Sequence, residues 1–311
     1  MAVTALALVR LRNLFAVGML SGIFSLTAAM LYVVMDAPDV AFTEAAVGAG
    51  IATVLIIATL ALTTSEEKVK PKRALWPLLT VLATGAALLY GTLDMPSYGD
   101  PTAPAQNHVS IRYIEVSPKE VGTPNVVTAV LASYRGYDTL GEVVVIFTAA
   151  VGVLVILGRS RAVAATAASV QEAMEQKTIL RVGAKLLIPL ILLFALYVQF
   201  HGDFGPGGGF QAGVIFASAF ILYALIFGVD RARRVAPPWL TRVVLAAGVL
   251  LYAGVGVAGL VTGGNYLDYS VLADNPLLGQ HLGIGLIEFG VGMTVAAAMV
   301  TIFFTFSRQE R

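Results

Sequence analysis

The chain has 311 residues, 58% hydrophobic and 13% charged, with a mean hydropathy of +0.83. That composition excludes an ordinary soluble domain and places the chain in a bilayer. Zero cysteines exclude disulfides, thiolate metal sites and cysteine nucleophiles. The formal net charge of +1 says little by itself, because the distribution of charge carries the information.

The opening MAVTALALV has neither a basic n-region nor a cleavage site before Arg10 and Arg12, so no signal peptide is expected and the first long helix is its own insertion signal. About 20 apolar residues cross a hydrocarbon core, and stretches of that kind recur. They run from Leu14 to Met35, Pro38 to Thr63, Ala74 to Leu93, Thr139 to Leu157, Val182 to Phe200, Phe210 to Val229, Leu240 to Thr262 and His281 to Phe306. Their length and the absence of period-2 alternation exclude barrel strands, so the expected fold is all-α and polytopic, with eight spanning helices in two modules of four.

Between the second and third spans, SEEKVKPKR (65–73) is a short charged connection. After the third, residues 95–122 form a long connection rich in Pro and Gly, in which VSIRYIEV (109–116) alternates weakly and is expected to be a short strand. Thr123 and Pro124 read as the N-cap and first residue of a helix that Arg135-Gly136 stops. It is too short to span and belongs at the interface or as a re-entrant element. From Arg159 to Lys177, the stripe Val163, Ala167, Val170 and Met174 has helical spacing and predicts a surface helix. The expected organisation is two spans in 1–64, two in 74–158, a linker helix in 159–180 and four spans in 181–311.

Of the 20 Lys and Arg residues, all but Arg112, Lys119 and Arg135 fall on one side of this layout, which puts both termini in the cytoplasm. The opposite, outer side receives the connection HGDFGPGGGFQ (201–211). A phosphate cradle of the Walker kind needs a lysine and a preceding strand, and a metal site needs more His, Asp or Glu ligands than this loop holds. The remaining reading is conformational. Gly202, Pro206, Gly207, Gly208 and Gly209 turn the chain tightly and let backbones approach, and Gln211 enters the sixth span as an interhelical hydrogen-bonding group.

An ionised side chain at a helix centre costs roughly 2.5–3.5 kcal/mol on insertion scales, so acids retained inside spans require a reason. Glu44, Glu142 and Glu288 enter the second, fourth and eighth spans from the outer side, with Asp39 at the start of the second and His201, Asp203 and His281 nearby. They form a candidate ion or proton path, to which Lys185, entering the fifth span from the inner side, is added as a relay. Structural readings stand beside these. Thr139 and Glu142 have the spacing of a capping box, and a helix start at Thr43 makes Glu44 a first-turn residue. Glu288 fits a buried helix contact because glycines 283, 285, 290 and 292 allow close approach, Lys185 fits snorkelling, and both histidines fit interfacial positions.

The stretch HGDFGPGGGFQAGVIFASAF, continued through NPLLGQHLGIGLIEFGVG, resembles the B-type subunit of Mrp-type multisubunit Na⁺/H⁺ antiporters. APDVAFTEAAVGAG and TPNVVTAVLASYRGYDTLGE are similar to two successive domains at the C-terminal end of the large, A-type antiporter subunit, also found in membrane-bound hydrogenases. The resemblance implies that Glu44 and Glu142 occupy acidic positions associated with ion transport, and that MAVTALALV stands where the hydrogenase-like domain has a further span. It implies a component of a multisubunit complex in the bacterial cytoplasmic membrane, with antiporter subunits including the large one, Na⁺, H⁺ and the lipid bilayer as partners. No enzyme activity, cofactor, metal or nucleic acid is expected. The alternatives are the ion-translocating module of a hydrogenase or complex I-like respiratory enzyme, and a structural scaffold without an ion path.

Overall fold

The computed structural model describes residues 1–61, 65–67, 75–97, 99–157 and 177–307. The surface helix expected near 159–177 lies almost wholly outside the described residues. A short helix α1 (Ala2–Arg10) precedes eight helices long and apolar enough to span a bilayer. They are α2 (Leu14–Val34), α3 (Pro38–Leu60), α4 (Leu75–Thr92), α5 (Gly136–Leu157), α6 (Thr178–His201), α7 (Gly209–Phe227), α8 (Pro238–Val261) and α9 (Pro276–Phe306). The protein is an all-α polytopic membrane protein whose spans fall into two groups of four, and among the described residues the sole β-type pairing is one isolated bridge, Asn13 to Glu66.

Local chemistry sets the helix starts. Asn13 accepts from the Ala16 amide and opens α2. Prolines occupy the first turns of α3, α8 and α9, where a missing N–H costs nothing. The eighth span begins earlier than its hydrophobicity suggests, because Asn275 caps at Leu277 and Pro276 starts the helix five residues before His281. The second span is not uniform: Pro38–Glu44 is α-helical, Ala45–Ile51 is π-helical, and Ala52–Ala61 is α-helical again.

Four local expectations are corrected. Residues 109–116 form helical turns, Val109–Ile111 and a π-helical Arg112–Val116, in place of a strand. No second strand is present among the described residues to pair with, and local i→i+n bonds satisfy the backbone instead. The helix after Thr123-Pro124 is capped by Asn125, whose side chain accepts from Val127 N at 2.9 Å, whereas the buried Thr123 hydroxyl has no hydrogen-bond partner. Thr139 does not open a helix. It lies one turn inside α5 and donates to the Leu131 carbonyl at 2.8 Å, so the capping box with Glu142 does not form. Gly285 faces open space, while Gly283 packs on the Tyr269 ring, Gly290 on the Gly248 carbonyl and Gly292 on the Gln199 side chain.

α9 is the central helix of the packed body, with α7 and α8 on two sides and α5 on a third. In lipid, helices associate through close packing because the surrounding chains are as apolar as the helices themselves. Here the approach is backbone on backbone. A Cβ at Gly209 would collide with the Glu288 carbonyl, one at Gly213 would lie 2.7 Å from the Gly292 carbonyl, and one at Gly248 would lie 2.5 Å from the Gly290 carbonyl. By contrast α4 buries none of its residues against the rest of the chain.

Candidate functional site

The short helix Val126–Thr128, continued as the π-helical segment Ala129–Tyr134, ends at Arg135, and α5 follows at once from Gly136. Tyr252 and Tyr269 pin this junction by donating to the carbonyls of Gly136 at 2.7 Å and Ala132 at 3.0 Å. Hydrogen bonds from Asn125 and Thr128 to the Gly202 carbonyl set the segment beside the 201–211 loop, at the end of the bundle where α3, α5, α7 and α9 meet.

A cavity of about 280 Å³ opens there. Its polar lining comes from Asp39 and Thr43 of α3, Thr128, Thr139 and Glu142 around the start of α5, Gln211 of α7 and Glu288 of α9. Gly207, Gly208 and Gly209 form one wall, and Val127, Leu131, Ile146 and Val291 supply apolar surface. Asp39 and Glu288 are partly buried, and Glu142 is exposed on its side of the cavity. Three carboxylates from three spans thus share one space.

The glycine loop shapes the Glu288 end of it. A Cβ at Gly202 would lie 3.0 Å from Glu288 Oε2, and one at Gly208 would lie 3.3 Å from Glu288 Oε1. The carboxylate therefore rests on glycine backbone where any side chain would displace it. Gly208 also has φ +111°, a conformation that L side chains rarely adopt. The loop closes on its own helix through Gly208 N, which donates to the Val198 carbonyl at 3.0 Å. Gln211, buried at 8% exposure, donates from Nε2 to Thr43 Oγ1 at 2.7 Å and ties α7 to α3 across the cavity.

One residue joins most of these parts and did not emerge from the sequence. Asn125 Nδ2 lies 3.2 Å from Asp39 Oδ1, 3.2 Å from the Gly202 carbonyl and 3.0 Å from the Gly205 carbonyl. Its backbone N donates to the Asp203 carbonyl at 3.0 Å, and Thr128 Oγ1 donates to the Gly202 carbonyl at 2.6 Å. The signal was present, since an Asn directly before an apolar helical run is a strong cap, but Thr123-Pro124 offered a competing start two residues earlier.

The other expected site residues are placed elsewhere. Glu44 sits at the contact of α3 with α2, where a Cβ at Gly48 would lie 2.6 Å from Glu44 Oε1 and 2.5 Å from Ser25 Oγ. His201 stacks on Tyr197 with ring centroids 4.9 Å apart and does not line the cavity. Asp203 pairs with His281 Nδ1 at 3.2 Å, linking the loop to the first turns of α9. Lys185 is exposed at the other end of α6, 16 positions and therefore ~24 Å from His201 along the helix. Outside the spans, Glu120 is held below its ordinary carboxylate range by a hydrogen bond from Tyr134 and then by Arg112, with Arg112 Nη2 2.7 Å from Glu120 Oε1. Among the described residues no group of three or more His, Cys, Asp or Glu side chains is arranged to hold a metal ion.

Three family descriptions match this chain in succession. MbhD, the D-type subunit of MBH, covers residues 1–65; MbhE, the E-type subunit of MBH, covers 79–177; and a domain related to the MnhB subunit of Na⁺/H⁺ antiporter covers 179–301. A putative antiporter subunit mnhB2 of Staphylococcus aureus is 35% identical over 136 residues, 43% of this chain and 96% of that protein. The chain belongs to the MnhB-related family of antiporter subunits. An uncharacterized protein of Methanocaldococcus jannaschii is 28% identical to this MnhB-related chain over 262 residues, 77% of it and 94% of the relative. Among solved structures, a chain of the Mrp complex from a Dietzia species superposes with a TM-score of 0.79 at 26% identity, covering 100% of this chain and 34% of that one. A chain of the membrane-bound sulfane sulfur reductase, an archaeal respiratory membrane complex, superposes with a TM-score of 0.59 at 30% identity, covering 77% of this chain and 99% of that one.

Proposed function

We propose that this MnhB-related chain is a membrane component of a multisubunit Na⁺/H⁺ antiporter and contributes to it a carboxylate-lined ion path. The observation that carries this reading is the shared cavity of Asp39, Glu142 and Glu288. A carboxylate in such a space can exchange a proton or accept a cation, and hydroxyl and amide oxygens from Thr43, Thr128 and Gln211 can replace part of a cation's hydration. Glu44 and His201 flank this path, on the α2 side and on α6. The order of the three matched regions supports a join between the C-terminal domains of a large, A-type antiporter subunit and a B-type one. The division proposed for it is 1–64, 74–158, 159–180 and 181–311, with the E-type match running on through the linker to residue 177. The chain spans about a third of the Dietzia chain it matches, and an antiporter-like large subunit would supply what has no counterpart here.

The test replaces Glu288 and Glu142 separately by Gln in the assembled complex, with cation-dependent proton flux measured in vesicles. Flux is expected to fall at least tenfold in each while assembly is unchanged; two variants with parental flux would leave only a scaffold. The match to the sulfane sulfur reductase chain favours a second reading, an ion-translocating module of a respiratory complex. Co-purification of metal-cluster subunits with this chain decides for it, and co-purification of antiporter-like subunits alone decides against it.

A further inference from the structure

Glu142 is exposed on its side of the carboxylate cavity, and a second approach to Glu288 runs through the glycine loop. His281 and Glu288 are seven positions apart on α9, about 20° short of two full turns, so they share one face ~10.5 Å apart. The loop bridges that interval with two consecutive residues. A Cβ at Gly202 would lie 3.0 Å from Glu288 Oε2, and the next residue, Asp203, places Oδ2 3.2 Å from His281 Nδ1. Asp203 and Asp39 are also the two carboxylates whose charges act on Glu288.

Exposure falls along this line, from 38% at the His281 side chain to 24% at Asp203, and beyond them Glu288 rests on glycine backbone. The ring nitrogen that Asp203 does not use, His281 Nε2, lies against Gly122, where a Cβ would stand 3.4 Å away. With no side chain there, that nitrogen stays open to outer water. Charged groups on the neighbouring elements are engaged elsewhere or exposed. Glu120 accepts from Tyr134 and Arg112, Asp268 accepts from Ser270, His201 stacks on Tyr197, and Lys119 and Asp274 are exposed.

Imidazole suits a proton and not a sodium ion, which like other hard cations takes oxygen ligands, and an imidazolium repels it. The oxygens of Thr43, Thr128 and Gln211 line the cavity side instead. We infer that His281 and Asp203 form a proton relay between outer water and Glu288, separate from the cavity through which the cation reaches the same glutamate. This division of the two ions rests on the carboxylate-lined path proposed above. Outer water protonates His281 Nε2, and the Nδ1 proton passes to Asp203 Oδ2 and on through water to the Glu288 carboxylate. The imidazole is left neutral with its proton on Nε2, and rotation of the ring or exchange with water restores the starting tautomer.

The assembled complex is prepared with His281→Ala, Asp203→Asn and Glu288→Gln, and cation-dependent proton flux is followed in right-side-out vesicles over a range of Na⁺ concentrations. His281→Ala is expected to lower maximal flux about a hundredfold, the low end of what a positioned acid–base group contributes, with the Na⁺ concentration for half-maximal flux unchanged. Imidazole in the outer medium should restore flux to this variant, whereas pyrazole, similar in shape and far less basic, should not. Asp203→Asn keeps a hydrogen bond to the ring, since its Oδ1 still accepts from Nδ1–H, and should lose flux while assembling as the parent does. Should His281→Ala fail to assemble, Asp203→Asn carries the test. A clamp that only ties the loop to α9 gives the reverse, parental flux in Asp203→Asn or equal rescue by imidazole and pyrazole, and either result overturns the relay. Loss of flux in Glu288→Gln beside parental flux in His281→Ala and Asp203→Asn overturns the relay and leaves the ion path standing. Parental flux in both Glu288→Gln and Glu142→Gln removes the ion path, and the relay with it.

Discussion

Replacing Asn125 by Ala tests whether the loop and the carboxylate cavity are held by one side chain. The amide has two N–H donors, shared among Asp39 Oδ1, the Gly202 carbonyl and the Gly205 carbonyl, and its oxygen caps Val127 N. Two net hydrogen bonds at about 1 kcal/mol each and a cap worth about 1 kcal/mol give an expected loss of about 3 kcal/mol. Gly202 O keeps its second donor, Thr128 Oγ1 at 2.6 Å, so that carbonyl is not stranded by the single change. Combining it with Thr128→Val strands the carbonyl, and the pair should cost about 1 kcal/mol more than the sum. Denaturant unfolding of the assembled complex reads these values, and cation-dependent flux in vesicles reads the site. Asn125→Asp keeps the cap but loses both donors and sets a second carboxylate against Asp39, so flux should fall further than stability does. If Asn125→Ala unfolds within about 0.5 kcal/mol of the parent and the double variant is additive, Asn125 does not hold the loop.

Two further substitutions test packing on α9: Gly209→Ala must push α7 off the Glu288 carbonyl and should cost assembly, whereas Gly285→Ala meets nothing within 4 Å and should leave thermal stability unchanged or raised. Blue-native gels and melting curves of the two complexes distinguish them, and equal behaviour would refute the backbone contact. On the 112–134 segment, Glu120 has a lowered folded pKa, so its contribution is fully present above the ordinary value of 4.5 and is lost as pH falls through the lowered one. Amide exchange across 112–121 should therefore stay protected from neutral pH to about 4.5 and open below it; a Glu120→Gln variant should exchange faster at neutral pH and show no such step.

The spans were legible because twenty apolar residues in lipid have few alternatives to a helix. Their ends were less so, since hydrophobicity ends where the bilayer does and a helix ends where its caps lie. Pro276 with Asn275, and Gly136 after the π-helical turn, extend α9 and α5 past their apolar stretches. The same difference decided the site. Glu142 and Glu288 stood out as acids inside apolar runs, and both line the cavity. Glu44 stood out for the same reason but is turned to α2, because depth along a helix says nothing about which face a residue occupies. Asn125 carries no sign of intramembrane cost, and its importance appears only once Asp39 and Gly202, 86 and 77 positions away in sequence, are beside it.

The loop that drew attention for its glycines acts through what those glycines leave out. Gly202 and Gly208 have no side chains where the Glu288 carboxylate lies, and Gly209 has none where the Glu288 carbonyl lies. One short segment therefore fixes both the backbone and the side chain of the same glutamate. Two independent changes, Gly202→Ala against the carboxylate and Gly209→Ala against the carbonyl, should consequently differ in effect. The first meets Oε2 at 3.0 Å, the far end of a side chain that can rotate away, though Gly208 backbone atoms stand equally near. It should change flux more than assembly. The second meets backbone that cannot move without moving α9, and should change assembly first. Parallel measurement of intact complex and of flux per complex separates the two, and an identical ratio in both variants would mean that the loop only spaces the helices.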